Sequence, residues 1–413
     1  MVLPLLLFFL AASASAIVAY GTHPAWAQYA HGLGVILFTR RFEWPMAAVA
    51  ILLCLAVVGL VVAGKRRAWW LIGLGPILAL FVHRYETDPM RRFAILDGPS
   101  FVPAAQAWFL ADNDYVVGLT FEGSAYAYPY FALYAAPVVS QAEHDKRMLL
   151  MWNAYANRAM AFQINHELYA RDLEIVSMPA NAMLLYNGKL GQFINGVTGL
   201  TPQSQKPKGF SSPIQVQKVI WREWMESHPA TRVMVPPAGA SPAKIPSSPL
   251  RPIKKDSSGD TLIAMICTTR PVAVLPQGVP EKPASIVVGG VPVLIFRDRA
   301  TKRLLVFDRR VEDLTLKFKP NTDARRKLVV WIDQDTDSGW TADGRAVDGP
   351  LGKAGKHLAS IPVDEGLWWG VMKKWVPDLE MLDPIPVPPE VRPPTRTPTV
   401  RTPTRSPTRR PGR

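Results

Sequence analysis

One weak pattern is written twice along this chain. Tyr126-Ala127-Tyr128-Pro129 leads to the apolar run Leu149-Leu150-Met151-Trp152 and then to Ala161-Phe162. Val272-Ala273-Val274-Leu275-Pro276 leads to Val293-Leu294-Ile295-Phe296 and then to Val306-Phe307. Trp221 and Pro229 are answered later by Trp369 and Pro377, and every pair keeps a spacing of roughly 146 residues, the mark of a repeated structural unit. Such a unit folds as like halves that bury their apolar faces against each other or within themselves. The expected fold class is therefore α+β, mostly β: a tandem duplicated β-rich module with a closing helix in each copy, preceded by N-terminal transmembrane helices.

The N-terminal helices are read from hydropathy. Val2 to Tyr20 and Met46 to Gly64 are uncharged apolar stretches long enough to cross hydrocarbon. Trp69 to Val82 is shorter and holds Gly73, Gly75 and Pro76, so residues 1–83 are expected to hold two or three spans. Ala14-Ser15-Ala16 would suit a signal peptide, but the charged start of one is missing. Lys65-Arg66-Arg67, in the short turn after the second stretch, favours the cytoplasm by the positive-inside rule. With three spans, this puts everything after Arg84 outside. The opposite orientation would place Arg40, Arg41, Arg84, Arg91 and Arg92 inside.

Beyond a charged connector over 84–100, the first copy covers 101–235 and the second 262–383. Tyr115 to Phe121 and Met148 to Trp152 read as strands in the first copy, and Ala284 to Arg297 and Leu304 to Arg309 as strands in the second. Val219 to Met225 and Leu367 to Trp375 read as the closing helices, the first ending near Pro229. Residues 236–261 form a Pro/Ser/Lys-rich linker. The tail, 384–413, repeats Arg-Thr-Pro-Thr and is expected to be disordered, because proline at this density blocks regular structure and nothing apolar remains to bury. Part of the net charge of +14 sits here, where seven Arg face one Glu from Glu390 onward. A solvated tail is the first reading, and attachment to an anionic envelope polymer or lipid surface the alternative. No aromatic residue interleaves its arginines, so no specific nucleic-acid partner is expected.

Chemistry-bearing constellations are sparse. Asp333, Asp335 and Asp337 alternate as in the start of a calcium loop, but Ser338 and Gly344 stand where such a loop needs its glycine and closing glutamate. A polar turn before Trp340 explains the same residues. Asn153, Asn157 and Arg158 can line a polar pocket or cap a turn. Trp221, Trp224, Trp368, Trp369 and Trp375 can stack a sugar or pack a helix onto a sheet. The histidines have no paired spacing, and the nucleophile elbow, phosphate loop and dinucleotide fingerprint are all missing. Cys54 and Cys267 are the only cysteines, so neither a disulfide framework nor a cysteine-based metal centre is expected.

With these residues laid out, the chain resembles a bacterial family known as domain of unknown function 3179, over about 94–383. Phe101-Val102-Pro103-Ala104, Gly118, Ala127-Tyr128-Pro129 and His228-Pro229-Ala230-Thr231 look like its first-copy landmarks. Asp333, Thr336, Ser338 and Trp340 match its motif D-x-x-T-x-S-x-W, followed by Gly344-Arg345-Ala346 and Gly349-Pro350-Leu351. The first copy's version of that motif becomes Leu190, Gln192 and Ile194. Counting on from Pro129, the family's usual His falls on Ala136 and its usual Cys-x-x-Cys pair on Asn153 and Ala156. Soft-metal or redox work through those groups is thus not expected here. The resemblance implies an exported soluble part and supplies no reaction.

The sequence reading is a membrane-anchored module in the cytoplasmic membrane of a bacterium, its soluble part extracytoplasmic, its partner the lipid bilayer. It needs no cofactor and acts in binding or envelope organisation. The alternative is an enzyme with a pocket in the second copy near Asp333, Ser338 and Trp340. The candidate binding residues are Asp333, Thr336, Ser338, Trp340, Asn153 and Arg158. An enzyme predicts a deep cleft with a shifted carboxylate; a scaffold predicts a filled core and a shallow face.

Overall fold

The computed structural model describes residues 2–29, 31–64, 71–165, 168–179, 182–238, 261–299, 301–323 and 325–385. Lys65-Arg66-Arg67, nearly all of the expected linker and nearly all of the Arg-rich tail lie outside the described residues. The fold is α+β, with many strands in several sheets and two long apolar helices at the N-terminus.

Helix Val2–Tyr20 coincides with the first apolar stretch. Helix Gly32–Val62 starts well before the expected Met46 and carries Pro45 inside it. It continues through charged residues because they are paired: Arg40 Nη1 lies 2.6 Å from Glu43, and Arg84 Nε lies 2.9 Å from the other oxygen of that carboxylate. Both helices are long and apolar enough to cross a membrane, with mean hydropathies of 2.1 and 2.8. The third helix, Leu74–Glu86, is shorter. Small buried residues, Ala11, Ser15, Ala47 and Ala50, let the helices approach closely. Leu5, Phe9, Trp44 and Leu52 face outward, exposed. Where the first helix ends, a Cβ on Gly21 would lie 2.2 Å from Thr39 Oγ1, so only glycine admits that crossing.

In the first half, one sheet has the order 216–220, 115–121, 124–129, 232–234, 101–103. Its neighbours are antiparallel except that Arg232–Met234 runs parallel to Ser124–Pro129. In the second half, a sheet has the order 363–368, 262–266, 272–274, 380–381, again antiparallel save for the last, parallel pair. Helix Trp221–Ser227 follows the first strand of one sheet, and helix Trp369–Trp375 the first strand of the other.

The apolar runs of the sequence are the middle strands of antiparallel meanders. Lys146–Asn153 lies between Val138–Glu143 and Arg158–Ile164; Val291–Arg297 lies between Ala284–Val288 and Leu304–Asp308. Both runs lack alternation because both faces are covered. Leu149 and Met151 enter one core while Met148, Leu150 and Trp152 enter another. Val293 and Ile295 likewise part from Leu294 and Phe296. A strand half-buried on one face would show polar residues at every second position.

Some boundaries differ from the sequence reading. Ala284 to Arg297 is a hairpin of two strands, turned at Gly289 and Gly290, whose φ values of 55° and 82° fit a primed turn. The expected connector contributes strand Ile95–Asp97, which runs parallel to Val138–Glu143. Val219 and Ile220 end a strand, and the helix begins at Trp221. The halves share a core: Ala156, Ala182 and Val197 of the first pack with Ile263, Met265, Leu367 and Met372 of the second.

Candidate functional site

Asp333, Thr336, Ser338 and Trp340 come together around one buried carboxylate. Strand Trp331–Asp333 ends at Asp333, and Gly339–Trp340 returns antiparallel to it. Asp333 Oδ1 accepts from Thr336 N at 2.6 Å and from Thr336 Oγ1 at 2.9 Å. Oδ2 accepts from Ser338 N at 3.2 Å and from Trp340 Nε1 at 2.9 Å. Ser338 Oγ lies 2.7 Å from Thr336 Oγ1 and accepts from Leu351 N at 3.0 Å. Asp333, Ser338 and Trp340 are fully buried. A carboxylate that accepts from that many donors locks the turn.

The neighbouring carboxylates turn elsewhere. Asp335 Oδ2 accepts from Lys317 N, while Asp337 faces Arg326 and Lys319 on the surface. Among the described residues, no group of three or more His, Cys, Asp or Glu side chains is placed to hold a metal ion. The first half has a counterpart turn: Asn187 Oδ1 accepts from Leu190 N at 2.9 Å, as Asp333 Oδ1 does from Thr336 N. Leu190, Gln192 and Ile194 there supply no hydroxyl or indole partner for Asn187.

Asn153 and Arg158 lie in the other half. Asn153 is buried, and its Oδ1 accepts from Tyr155 N and Ala156 N, at 3.0 and 2.9 Å, capping the turn between two strands. Ala136 and Ala156 are both fully buried. A void of about 20 Å³ is lined by Pro137, Trp152, Asn153 and Met183.

The tryptophans of the closing helices serve packing. Trp221 and Trp224 are buried against the sheet, and Trp368, Trp369 and Trp375 pack on the shared core. Trp224 Nε1 donates to Thr231 Oγ1 at 2.9 Å, and its ring stacks on His228 at 3.9 Å.

Sequence reasoning reached only the edge of a larger concavity, through Asn157 and Arg158. A cleft of about 600 Å³ opens between the halves, lined by Tyr115, Tyr130, Lys218 and Glu223 on one side and Arg303, Asp364 and Glu365 on the other. At its floor, Lys218 Nζ lies 2.7 Å from Asp364 Oδ1 and donates to Asn157 O at 2.6 Å. Arg158 Nε lies 3.5 Å from Asp364 Oδ2. Asn157 Nδ2 donates to Gly366 O at 2.8 Å, tying the halves together beneath. Burial holds the Glu365 carboxyl above the usual carboxylate range, partly offset by the Leu304 amide that donates to it at 2.7 Å. Burial, followed by the Asp364 charge, holds the Tyr130 hydroxyl well above its ordinary value. These residues are scattered along the chain, and no local spacing announces them.

The site thus belongs to a β-rich module with a polar cleft at its seam, carried on apolar helices. Residues 94–244 match the family model of a protein of unknown function, DUF3179, so the kinship read from the landmark residues is shown over that region. No curated protein and no solved structure matches the chain.

Proposed function

We propose that the chain is a membrane-anchored binding module, tandemly duplicated, whose ligand seat is the cleft between its two copies. The carrying observation is that both halves line this cleft and that its floor is charged: Lys218 bridges Asp364 and the backbone of Asn157. The shared strand order of the two principal sheets supports the duplication. Cations at Lys218 and Arg303, anions at Glu223 and Asp364, and the faces of Tyr115 and Tyr130 favour a polar ligand bearing both charges, of the short-peptide class. The motif around Asp333 serves this reading as a turn lock rather than as a pocket.

The runner-up reading, an enzyme, draws its support from Glu365, a carboxyl shifted upward inside the same cleft. Titration of the full chain with a mixture of di- and tripeptides, followed by mass spectrometry of the mixture, separates the two. Binding with peptides recovered intact, lost in Lys218→Met, supports the module; cleaved or altered peptides would support the enzyme. No binding by the wild-type chain would overturn the cleft as a peptide seat.

A further inference from the structure

Three cations are gathered around one tyrosine on the first half. The guanidinium carbons of Arg147 and Arg171 each lie 4.8 Å from the centroid of the Tyr169 ring, and Lys189 Nζ lies 5.7 Å from it. Like charges this close repel, and the negative face of the ring repays part of that cost. Among the described residues, Asp97 is the carboxylate within ion-pair distance of the three, 3.4 Å from Arg147. Exposed Lys208 extends the basic face, its backbone paired with the side chain of Gln192 on both sides.

The place of this cluster in the fold gives it meaning. Arg171 stands just before strand Leu173–Ser177, and Lys189 stands in the turn between Leu184–Asn187 and Gln192–Asn195. The same strands carry the contacts to the apolar helices. Glu174 pairs with Arg40 of helix Gly32–Val62, and the Arg40 guanidinium lies 5.6 Å from the Tyr186 ring. Ser177 Oγ donates to Thr22 O at 2.7 Å, beside the end of helix Val2–Tyr20. The cations therefore sit within a few residues of the level at which the helices leave the module.

We propose that Arg147, Arg171 and Lys189 form a collar that binds the phosphate headgroup of an anionic phospholipid in the bilayer holding those helices. This rests on the membrane anchoring proposed above. The ligand is a headgroup because, among the described residues, three cations facing one carboxylate leave positive charge uncompensated beside a membrane surface, where basic side chains gain most from anionic lipid. Both arginines can offer paired N–H groups to phosphate oxygens.

The test is native mass spectrometry of the full chain purified with equal amounts of phosphatidylglycerol and phosphatidylcholine. The wild-type chain is expected to retain phosphatidylglycerol in preference. Arg171→Gln combined with Lys189→Gln should weaken that retention about thirtyfold, at about fivefold per charge lost near the surface. Arg299→Gln combined with Lys302→Gln, on the exposed hairpin that pairs with Glu281, should leave it unchanged. Equal melting temperatures of the three chains confirm that the comparison is not one of folding. Equal retention of the two lipids by the wild-type chain, or undiminished preference in the collar variant, would overturn the collar while leaving the anchor standing. Displacement of the lipid by an equal concentration of inorganic phosphate would overturn it in favour of a free-anion site. Retention of neither lipid would overturn the anchor itself, and the collar with it.

Discussion

The indole of Trp224 lies flat against the Cα of Gly118. A Cβ built on that glycine would fall 2.4 Å from Trp224 Cε3, with two further ring atoms within 2.6 Å. The helix Trp221–Ser227 thus docks on the strand only because residue 118 has no side chain. In the second half, Met265 pairs with Ala273 as Gly118 pairs with Ala127, and it packs in one core with Met372. The first half places no side chain beneath a large one; the second places two methionines there, dividing the volume differently. Gly118→Ala should lower the melting temperature of the full chain by an amount corresponding to about 1–3 kcal/mol, the usual cost of overpacking. Gly188→Ala, where the added atom would meet only Tyr186 Cε1 at 3.7 Å, serves as the silent control. Equal melting of both variants would refute the flat docking.

Asp333 offers a second test through its hydrogen bonds. An amide in its place has one acceptor oxygen instead of two, and its NH₂ would face the donors Ser338 N and Trp340 Nε1, or Thr336 N. Leaving buried donors unsatisfied costs about 1–3 kcal/mol or more near a charged partner. Asp333→Asn is expected to destabilise the chain by at least about 2 kcal/mol on that basis, measured by chemical or thermal unfolding, without altering peptide capture by the cleft. A variant that melts like wild type but loses ligand would return the site to Asp333.

Glu365 carries a prediction about pH. Its folded-state carboxyl titrates above the ordinary value, with burial as the largest cause. A raised acid binds its proton more tightly when folded, so its contribution is fully present below the unfolded value. That contribution fades as pH rises through the folded one. Glu365→Gln keeps an oxygen to accept from Leu304 N and never ionises. It should therefore be more stable than wild type at neutral pH, with the difference shrinking to nothing as pH falls below the normal carboxylate range. A gap between the two melting curves that widens toward acid would show the opposite sign and dismiss the assignment.

How much of this was legible follows from the range of each interaction. Tyr115–Phe121 and Val2–Tyr20 were read to the residue because their signals are local: a β-rich run bounded by polar turns, and an uninterrupted apolar stretch. The start of helix Gly32–Val62 was not legible, because Arg40 and Glu43 look like a boundary until Arg84, from a later helix, and Glu174, from the module, pair with them. Ala284 to Arg297 read as one strand because Gly289-Gly290 interrupts it without any polar side chain. The motif around Asp333 was legible as a cluster, since its donors come from within eight residues. Of the cleft, Asn157 and Arg158 alone were named as pocket residues; Lys218, Asp364 and Glu365 are brought together by the docking of the halves, and nothing in their spacing encodes that.

The last prediction concerns the side of the membrane. The helices alternate in direction: Tyr20 lies beside His83 at 5.0 Å, and Gly21 beside Thr39, all near the module. Gly73, at the start of the third helix, approaches Phe8 instead, deeper along the first. Val62 ends the second helix far along the chain from the Arg40–Glu174 contact, so the basic triplet Lys65-Arg66-Arg67 follows the end that points away from the module. Basic residues close to a spanning helix are retained on the cytoplasmic side; by that rule the module is expected outside. Arg40 and Arg84 argue less strongly for the other orientation than a count of charges suggests, because both share the Glu43 carboxylate. Alkaline phosphatase fused after Gly98 should be active in bacterial cells, and the same enzyme fused after Arg67 inactive. The reverse pattern would place the module in the cytoplasm.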